Sequence, residues 1–289
     1  MKLGVTFPQA IEPDGASIAA FGREVEAAGF DYLCALDHVA GAHPDAFGGK
    51  PYFYTHESPT HEVFTLFAHL AAVTERIEFA TTALILTQRQ TVLVAKQAAE
   101  VQVLSGGRLR LGVVVGWNQP EAEAMGSDFA TRGRRIEEQV EVLRALWTQP
   151  LVTYNGRFHR LDRVGINPLP PAPPQVWLGG GYDDRLLRRV AKYADGWLPS
   201  LSAGADFGAA LSQLRSYLEA EGRDPASFGV EVRLNMARVP RDGWVDHVAA
   251  YQTLGATHLA FLPPDKLPAP EQLAMAIEAK DVLTKAGVV

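Results

Sequence analysis

Thr91-Val92-Leu93-Val94-Ala95-Lys96-Gln97-Ala98-Ala99-Glu100-Val101-Gln102-Val103-Leu104-Ser105-Gly106-Gly107-Arg108-Leu109-Arg110-Leu111-Gly112-Val113-Val114-Val115-Gly116-Trp117-Asn118 holds one complete helix and strand unit. Thr91 to Leu104 reads as a helix that stops at Ser105-Gly106-Gly107, because glycine tolerates the left-handed conformation that ends a helix. Leu109 to Val115 is a nearly continuous apolar run, the pattern of a strand covered on both faces in a parallel sheet. Gly116-Trp117-Asn118 closes the strand.

The same alternation continues in both directions. Strand-like runs occur at Leu3 to Phe7, Tyr32 to Leu36, Ile77 to Leu86, Val176 to Leu178, Gly196 to Pro199, Val230 to Ala237 and His258 to Leu262, which with Leu109 to Val115 makes eight. Between them, Ile136, Val140, Leu143 and Trp147 recur at helical spacing, opposite Arg135, Glu138 and Arg144. Ser17 is expected to cap a helix carrying Ile18, Phe21 and Val25 that stops at Gly29, and Pro270 suits the first turn of the last helix. Eight β and α units in a chain of 289 residues match a (β/α)8 TIM barrel. A doubly wound open sheet is the alternative, but the regular units and the absence of a G-x-G-x-x-G fingerprint favour the barrel. Two segments exceed minimal barrel loops: Val39 to Pro59 after the second strand, and Thr148 to Gln175 after the fourth helix, with its run Pro168-Leu169-Pro170-Pro171-Ala172-Pro173-Pro174. Val176 resumes the rhythm at once, so residues 1–289 are read as one domain.

Composition narrows the function. With 27 Lys and Arg against 33 Asp and Glu the net charge is -6, which argues against duplex nucleic acid or an anionic membrane as partner. The single cysteine, Cys34, lies in an apolar strand and has no internal disulfide partner. The first residues enter a strand without the marks of a signal peptide, and no run reaches the ~20 apolar residues of a membrane span. The expectation is a reduced, cytoplasmic protein.

Barrel chemistry sits where strands end. Those ends carry Thr6-Phe7-Pro8-Gln9, Asp37-His38, Thr81-Thr82-Ala83, Leu86-Thr87-Gln88-Arg89, Gly116-Trp117-Asn118 and Gly179-Gly180-Gly181-Tyr182-Asp183. Asp37-His38 is the most reactive pair, since an imidazole titrates near neutrality and a neighbouring carboxylate biases its charge. The plainer reading makes Asp37 a loop cap and His38 a packing residue. Gly179-Gly180-Gly181 leads into a helix and could cradle a phosphate with backbone N–H groups. Asp183 and Asp184 compete for the same groups as helix caps. Trp117 could lie against a flat heterocycle or pack under a loop. His43, His56, His61, His69, His159, His247 and His258 show no metal-ligand spacing, so no metal site is assigned. A gathering of Asp37, His38, His43 and Asp45 around an ion, and with it a metal-dependent hydrolase, is the most distant alternative. Arg132, Arg134 and Arg135 are either a solvated helix start or a patch that meets an anionic cofactor tail.

A further set of residues shares one order along the chain: Asp37-His38, Thr81-Thr82-Ala83-Leu84, Ser105 through Asn118, Glu121, Met125-Gly126, Phe129, Arg132, Arg135, Leu143-Arg144-Ala145-Leu146-Trp147, Trp177-Leu178-Gly179-Gly180-Gly181 and Ala194-Asp195-Gly196-Trp197. From about Leu3 to Pro199 the sequence resembles the luciferase-like monooxygenase family, and within it the branch dependent on coenzyme F420, an 8-hydroxy-5-deazaflavin. The resemblance implies a luciferase-like barrel, commonly a homodimer, that binds a flavin or deazaflavin at the C-terminal ends of its strands. It implies a cis peptide at Thr82-Ala83 behind the ring, a phosphate at Gly179 to Gly181, and cofactor contacts from Phe7, Asp37, His38, Val115, Trp117 and Asn118. On that analogy His38 donates or accepts the proton during hydride transfer, and Asp37 orients it or contacts the ring. Similar enzymes place a glutamate just after the fourth strand. Here Trp117 stands at that place, leaving Glu57 or Tyr54 as substitutes.

The implied activity is hydride transfer between F420 and a small organic substrate, and the loop aromatics Phe47, Tyr52, Phe53, Tyr54 and Phe158 suggest that this substrate is partly apolar. Two rivals follow. One is an FMN-dependent monooxygenase of the same family, using reduced flavin and O2, and the other is a non-catalytic flavin-binding barrel.

Overall fold

A computed structural model describes residues 1–48, 54–200 and 205–289. The strands are β1 (Lys2–Thr6), β2 (Tyr32–Ala35), β3 (Glu78–Thr81), β4 (Leu84–Ile85), β5 (Leu109–Val114), β6 (Val152–Asn155), β7 (Arg160–Val164), β8 (Gln175–Gly180), β9 (Gly196–Pro199), β10 (Gly229–Asn235) and β11 (His258–Leu262). The helices are α1 (Gly15–Ala27), α2 (Val63–Ala71), α3 (Thr91–Ser105), α4 (Gln119–Ala124), α5 (Arg132–Thr148), α6 (Asp184–Tyr193), α7 (Ala205–Ala220), α8 (Trp244–Leu254) and α9 (Ala269–Lys285). The parallel order β3-β2-β1-β11-β10-β9-β8-β5 closes through a β3 to β5 pairing, so eight strand positions form a (β/α)8 TIM barrel. β4 continues β3 along the same path and pairs with β5 through Leu84 and Val113.

Local sequence explains the elements. The predicted stripe of α5 is buried, with Ile136, Val140, Leu143 and Trp147 each at most 2% exposed, and the Trp147 indole donates to the Ala95 carbonyl of α3 at 2.9 Å. α3 ends at Gly106, whose φ of 67° is left-handed. α1 is capped by Asp14 instead of Ser17: the Asp14 carboxylate accepts from the N–H groups of Ala16 and Ser17, both at 2.9 Å. Asp14 sits one turn earlier and brings a full charge to the helix's positive end. Pro270 lies in the first turn of α9.

The lower barrel is filled by large side chains. The rings of Tyr32 and Trp177 enclose the Arg110 guanidinium at 4.8 and 4.2 Å, and Arg110 pairs with Glu231 at 2.6 Å. A Cβ at Gly4 would lie 2.3 Å from Tyr32, and one at Gly229 would lie 2.1 Å from Trp177, so those strands approach the rings only as glycine. A cavity of about 360 Å³ remains beside these rings, lined by Lys2, Glu78, Arg110, Trp177 and His258 among others, and another opens at the opposite end, where the strands finish.

The segment after α5 is more than a loop. β6 and β7 form an antiparallel hairpin, followed by a cis Asn167-Pro168 bond. Its inward side chains are few, chiefly Val152 and Leu161, which left too short an alternation to stand out in the sequence.

Candidate active site

The site grows from the end of β2. Asp37 and His38 follow Leu36 there, and the two side chains take separate partners. Asp37 is buried and accepts Arg89 Nη2 at 2.7 Å, Arg89 Nε at 3.3 Å and the Ile85 N–H at 2.9 Å. Arg89 also reaches Glu62 at 3.1 Å. Burial pushes the Asp37 carboxyl up from its ordinary range while Arg89 pulls against it. Asp37 thus ties β2 to the segment after β4, and it makes no hydrogen bond to His38.

The His38 partner is Glu121. Nδ1 lies 2.7 Å from Glu121 Oε2, and the other oxygen accepts the Val39 N–H at 2.7 Å and Gln88 Nε2 at 2.9 Å. Asn118 Nδ2 adds a contact at 3.2 Å. Burial raises the Glu121 carboxyl, but the hydrogen bonds from His38, Val39 and Gln88 outweigh it and hold the group below its ordinary value. An ionised carboxylate only accepts, so the proton of neutral His38 resides on Nδ1 and Nε2 is left as the nitrogen with the lone pair. Nε2 has no hydrogen-bond partner among the described residues.

Glu121 supplies a carboxylate just after the fourth barrel strand, four positions beyond Trp117. It stands three positions after Asn118, the N-cap of α4, whose side chain accepts the Glu121 N–H. That Asn-x-x-Glu spacing is a capping signature, and it places the carboxylate on the first turn of a helix leaving the barrel rim. The proposed substitutes fall elsewhere. Glu57 is exposed, while Tyr54 stacks flat on the His38 ring, with centroids 3.8 Å apart, and its hydroxyl approaches Thr60 at 3.4 Å.

A cavity of about 320 Å³ opens beside this dyad, lined by Asp37, His38, Thr82, Ala83, Trp117, Gly179, Gly180 and Arg233 among others. The Thr82-Ala83 peptide between β3 and β4 is cis, and its Thr82 carbonyl accepts from Arg233 Nη2 at 2.9 Å. Gly179 lines it, where a Cβ would come within 2.7 Å of Val114, and on β5 a Cβ at Gly112 would come within 2.2 Å of the Thr81 carbonyl oxygen. Trp117 stands edge-on to His38 and near Phe47, at 5.9 and 6.0 Å.

Other sequence candidates lie outside the cavity lining. Phe7 is 1% exposed and packs edge-on against Phe21 and His61. Val115 gives its carbonyl to Thr87 at 2.7 Å, Asn118 works behind Glu121, and Gly181 has no neighbour within 4 Å of a Cβ position. Phe158 lies in the turn of the β6–β7 hairpin, its N–H donating to Glu138 at 2.9 Å. Tyr52 and Phe53 fall outside the described residues. Asp183 caps α6 by accepting the Leu186 N–H at 3.1 Å, so that helix start is partly satisfied by its own chain. Cys34 is buried. No group of three or more metal-ligating side chains occurs among the described residues, and no helix there is long and apolar enough to cross a membrane.

A second His and Glu pair shows what sets the first apart. His159 meets Glu138 at 2.8 Å through Nδ1 and Thr91 at 2.6 Å through Nε2. Both ring nitrogens are occupied, as in a structural histidine, whereas His38 presents Nε2 beside a cavity.

Comparison with known proteins bears on the fold and the family. Pyrimidine monooxygenase RutA of Escherichia coli is 33% identical over 207 residues, covering 69% of this chain and 54% of the relative. The chain thus spans about half the length of the curated relatives it matches. Among solved structures, monooxygenase RslO1 from Streptomyces bottropensis superposes with a TM-score of 0.77 at 18% identity, covering 99% of this chain and 100% of the other. An F420-dependent secondary alcohol dehydrogenase, in complex with an F420-acetone adduct, gives 0.78 at 13%, covering 98% of each. At such identities the structural likeness speaks to the fold. The model of the luciferase-like monooxygenase family matches residues 1–279, and the chain belongs to that family.

Proposed function

We propose that the protein is an oxidoreductase that transfers a hydride between coenzyme F420 and a small, partly apolar organic substrate, with His38 as the proton partner. The observation that carries this reading is the His38 and Glu121 dyad, its free Nε2 beside the cavity at the strand ends. When bound, the deazaflavin supplies two-electron hydride chemistry. Hydride movement to or from an alcohol or carbonyl carbon leaves one proton to balance on oxygen, and an imidazole oriented by a carboxylate is suited to hold it.

The chain's own residues fit a ring-and-phosphate cofactor. Gly179 and Gly180 keep part of the lining free of Cβ atoms, Arg233 puts a cation in it, and Trp117 with Tyr54 supplies flat apolar surface near His38. Glu121 fixes the His38 tautomer and ring orientation. Asp37, bound to Arg89, holds the loop that carries His38.

A reduced-FMN monooxygenase is the second reading, favoured by the likeness to pyrimidine monooxygenase. Equilibrium titration of the apo protein with F420 and with FMN, each oxidised and reduced, separates the two by cofactor fluorescence and absorbance. Preference for the deazaflavin is expected. Preference for FMN overturns the F420 reading in favour of the monooxygenase, and binding of neither overturns both.

A further inference from the structure

We propose that the cleft between the first turns of α5 and α6 is an anion site that grips a carboxylate- or phosphate-bearing tail of the cofactor. This rests on the deazaflavin reading above. A cavity of about 480 Å³ lies there, lined by Ala130, Gly133, Arg134, Glu137, Arg185 and Arg189. The charges around it do not cancel. Glu137 is taken by Arg189 Nε at 2.8 Å, and Asp184 by Arg188 at 2.8 Å and by Tyr217. Arg134 and Arg185 have no hydrogen-bond or ion-pair partner among the described residues, so two guanidinium groups face one cleft uncompensated.

Arg189 makes the floor a fixed one. It is 8% exposed, its Nε and Nη2 are held by Glu137 and the Gly133 carbonyl at 2.8 and 2.7 Å, and Nη1 has no partner among the described residues. A planar guanidinium held on one edge keeps its other donors in a set direction, which suits carboxylate and phosphate oxygens. The neighbouring arginines of the same helix start are used locally: Arg132 donates to the Phe129 carbonyl at 2.7 Å, and Arg135 to Ser127 at 2.9 Å.

Position links this cleft to the active site. α6 begins directly after β8, so its first turn stands on the same rim as the cavity. Gly180 lines the cavity and Arg185 is five residues on, which limits their Cα separation to about 18 Å. A cofactor whose ring lies in the cavity, and whose tail carries several anionic groups, can cross Gly180 and Gly181 and end among Arg134, Arg185 and Arg189. The headgroup and the tail then bind at separable sites.

The test compares full-length F420 with its tail-less headgroup, 8-hydroxy-5-deazariboflavin, by fluorescence titration against wild type and an Arg134→Ser/Arg185→Ser double variant. Both arginines are exposed and unpartnered, so the variant should retain the wild-type melting temperature. The expected result is that wild type binds the tailed cofactor about tenfold more tightly, that added salt erodes this advantage, and that the double variant loses it while its headgroup affinity is unchanged. Equal wild-type affinity for both ligands overturns the tail site and leaves the F420 reading standing, as does an equal loss for both in the variant. Binding of neither deazaflavin by a protein that binds FMN overturns the F420 reading, and the tail site with it.

Discussion

Replacing Glu121 by glutamine keeps the size of the side chain and removes its charge. In the wild type one carboxylate accepts from His38, the Val39 N–H, Gln88 and Asn118, at 2.7, 2.7, 2.9 and 3.2 Å. A glutamine amide offers one acceptor oxygen in place of two, so at least one of these donors meets an NH2 group. A buried hydrogen bond to a charged partner is worth about 1.5–3 kcal/mol. That bond holds the ring in one orientation and tautomer, so its loss slows a step that uses His38 by about 10- to 150-fold. The assay is steady-state turnover, with 15N NMR of the imidazole to read whether Nδ1 still carries the proton. A folded E121Q protein with wild-type kcat/KM and an unchanged tautomer would refute the reasoning.

Other consequences are testable in the same protein. Arg89→Met leaves Asp37 buried with one remaining donor, and should cost about 3–5 kcal/mol in urea unfolding; adding Asp37→Asn should restore much of it. Gly112→Ala drives a Cβ to 2.2 Å from the Thr81 carbonyl oxygen, whereas Gly181→Ala meets nothing within 4 Å. The first should lower stability by about 1–3 kcal/mol and the second by no more than about 0.5 kcal/mol, read from thermal melts. Burial, with Arg110 and Lys2 nearby, holds His258 at about 3, below its ordinary 6.5. The unfolded chain therefore binds a proton there that the folded chain refuses, and stability falls as pH drops from 6.5 toward 3. His258→Gln should flatten that part of the stability profile, and an unchanged slope would contradict it.

The barrel was legible because its strands are short apolar runs divided by glycine, proline and helix-period stripes. Gly196–Pro199 and His258–Leu262 match their expected bounds, and most others differ by a residue or two. The run from Ile77 to Leu86 is the instructive exception. It is continuous in hydrophobicity, but the cis peptide at Thr82-Ala83 divides it into β3 and β4; only the family resemblance pointed there. The site was legible in part. His38 stood out by its chemistry, yet its partner lies 83 positions away, a distance across which no local pattern operates. Asp37 looked like the orienting group because it is adjacent, and adjacency misled: neighbouring side chains at a strand end diverge, and Arg89 claims the carboxylate. Phe7, Val115 and Asn118 stand at strand ends in sequence, but which of them reach the cavity is decided by packing that the sequence does not encode locally.

The central claim, that His38 carries the proton for chemistry at the strand-end cavity, is tested most directly by His38→Ala. Cofactor titration and single-turnover hydride transfer should be measured on the same preparation. The account predicts that F420 affinity stays within a few-fold of wild type while the rate of hydride transfer falls by about 100-fold or more. Wild-type hydride transfer by a His38→Ala protein that binds the cofactor normally would contradict it.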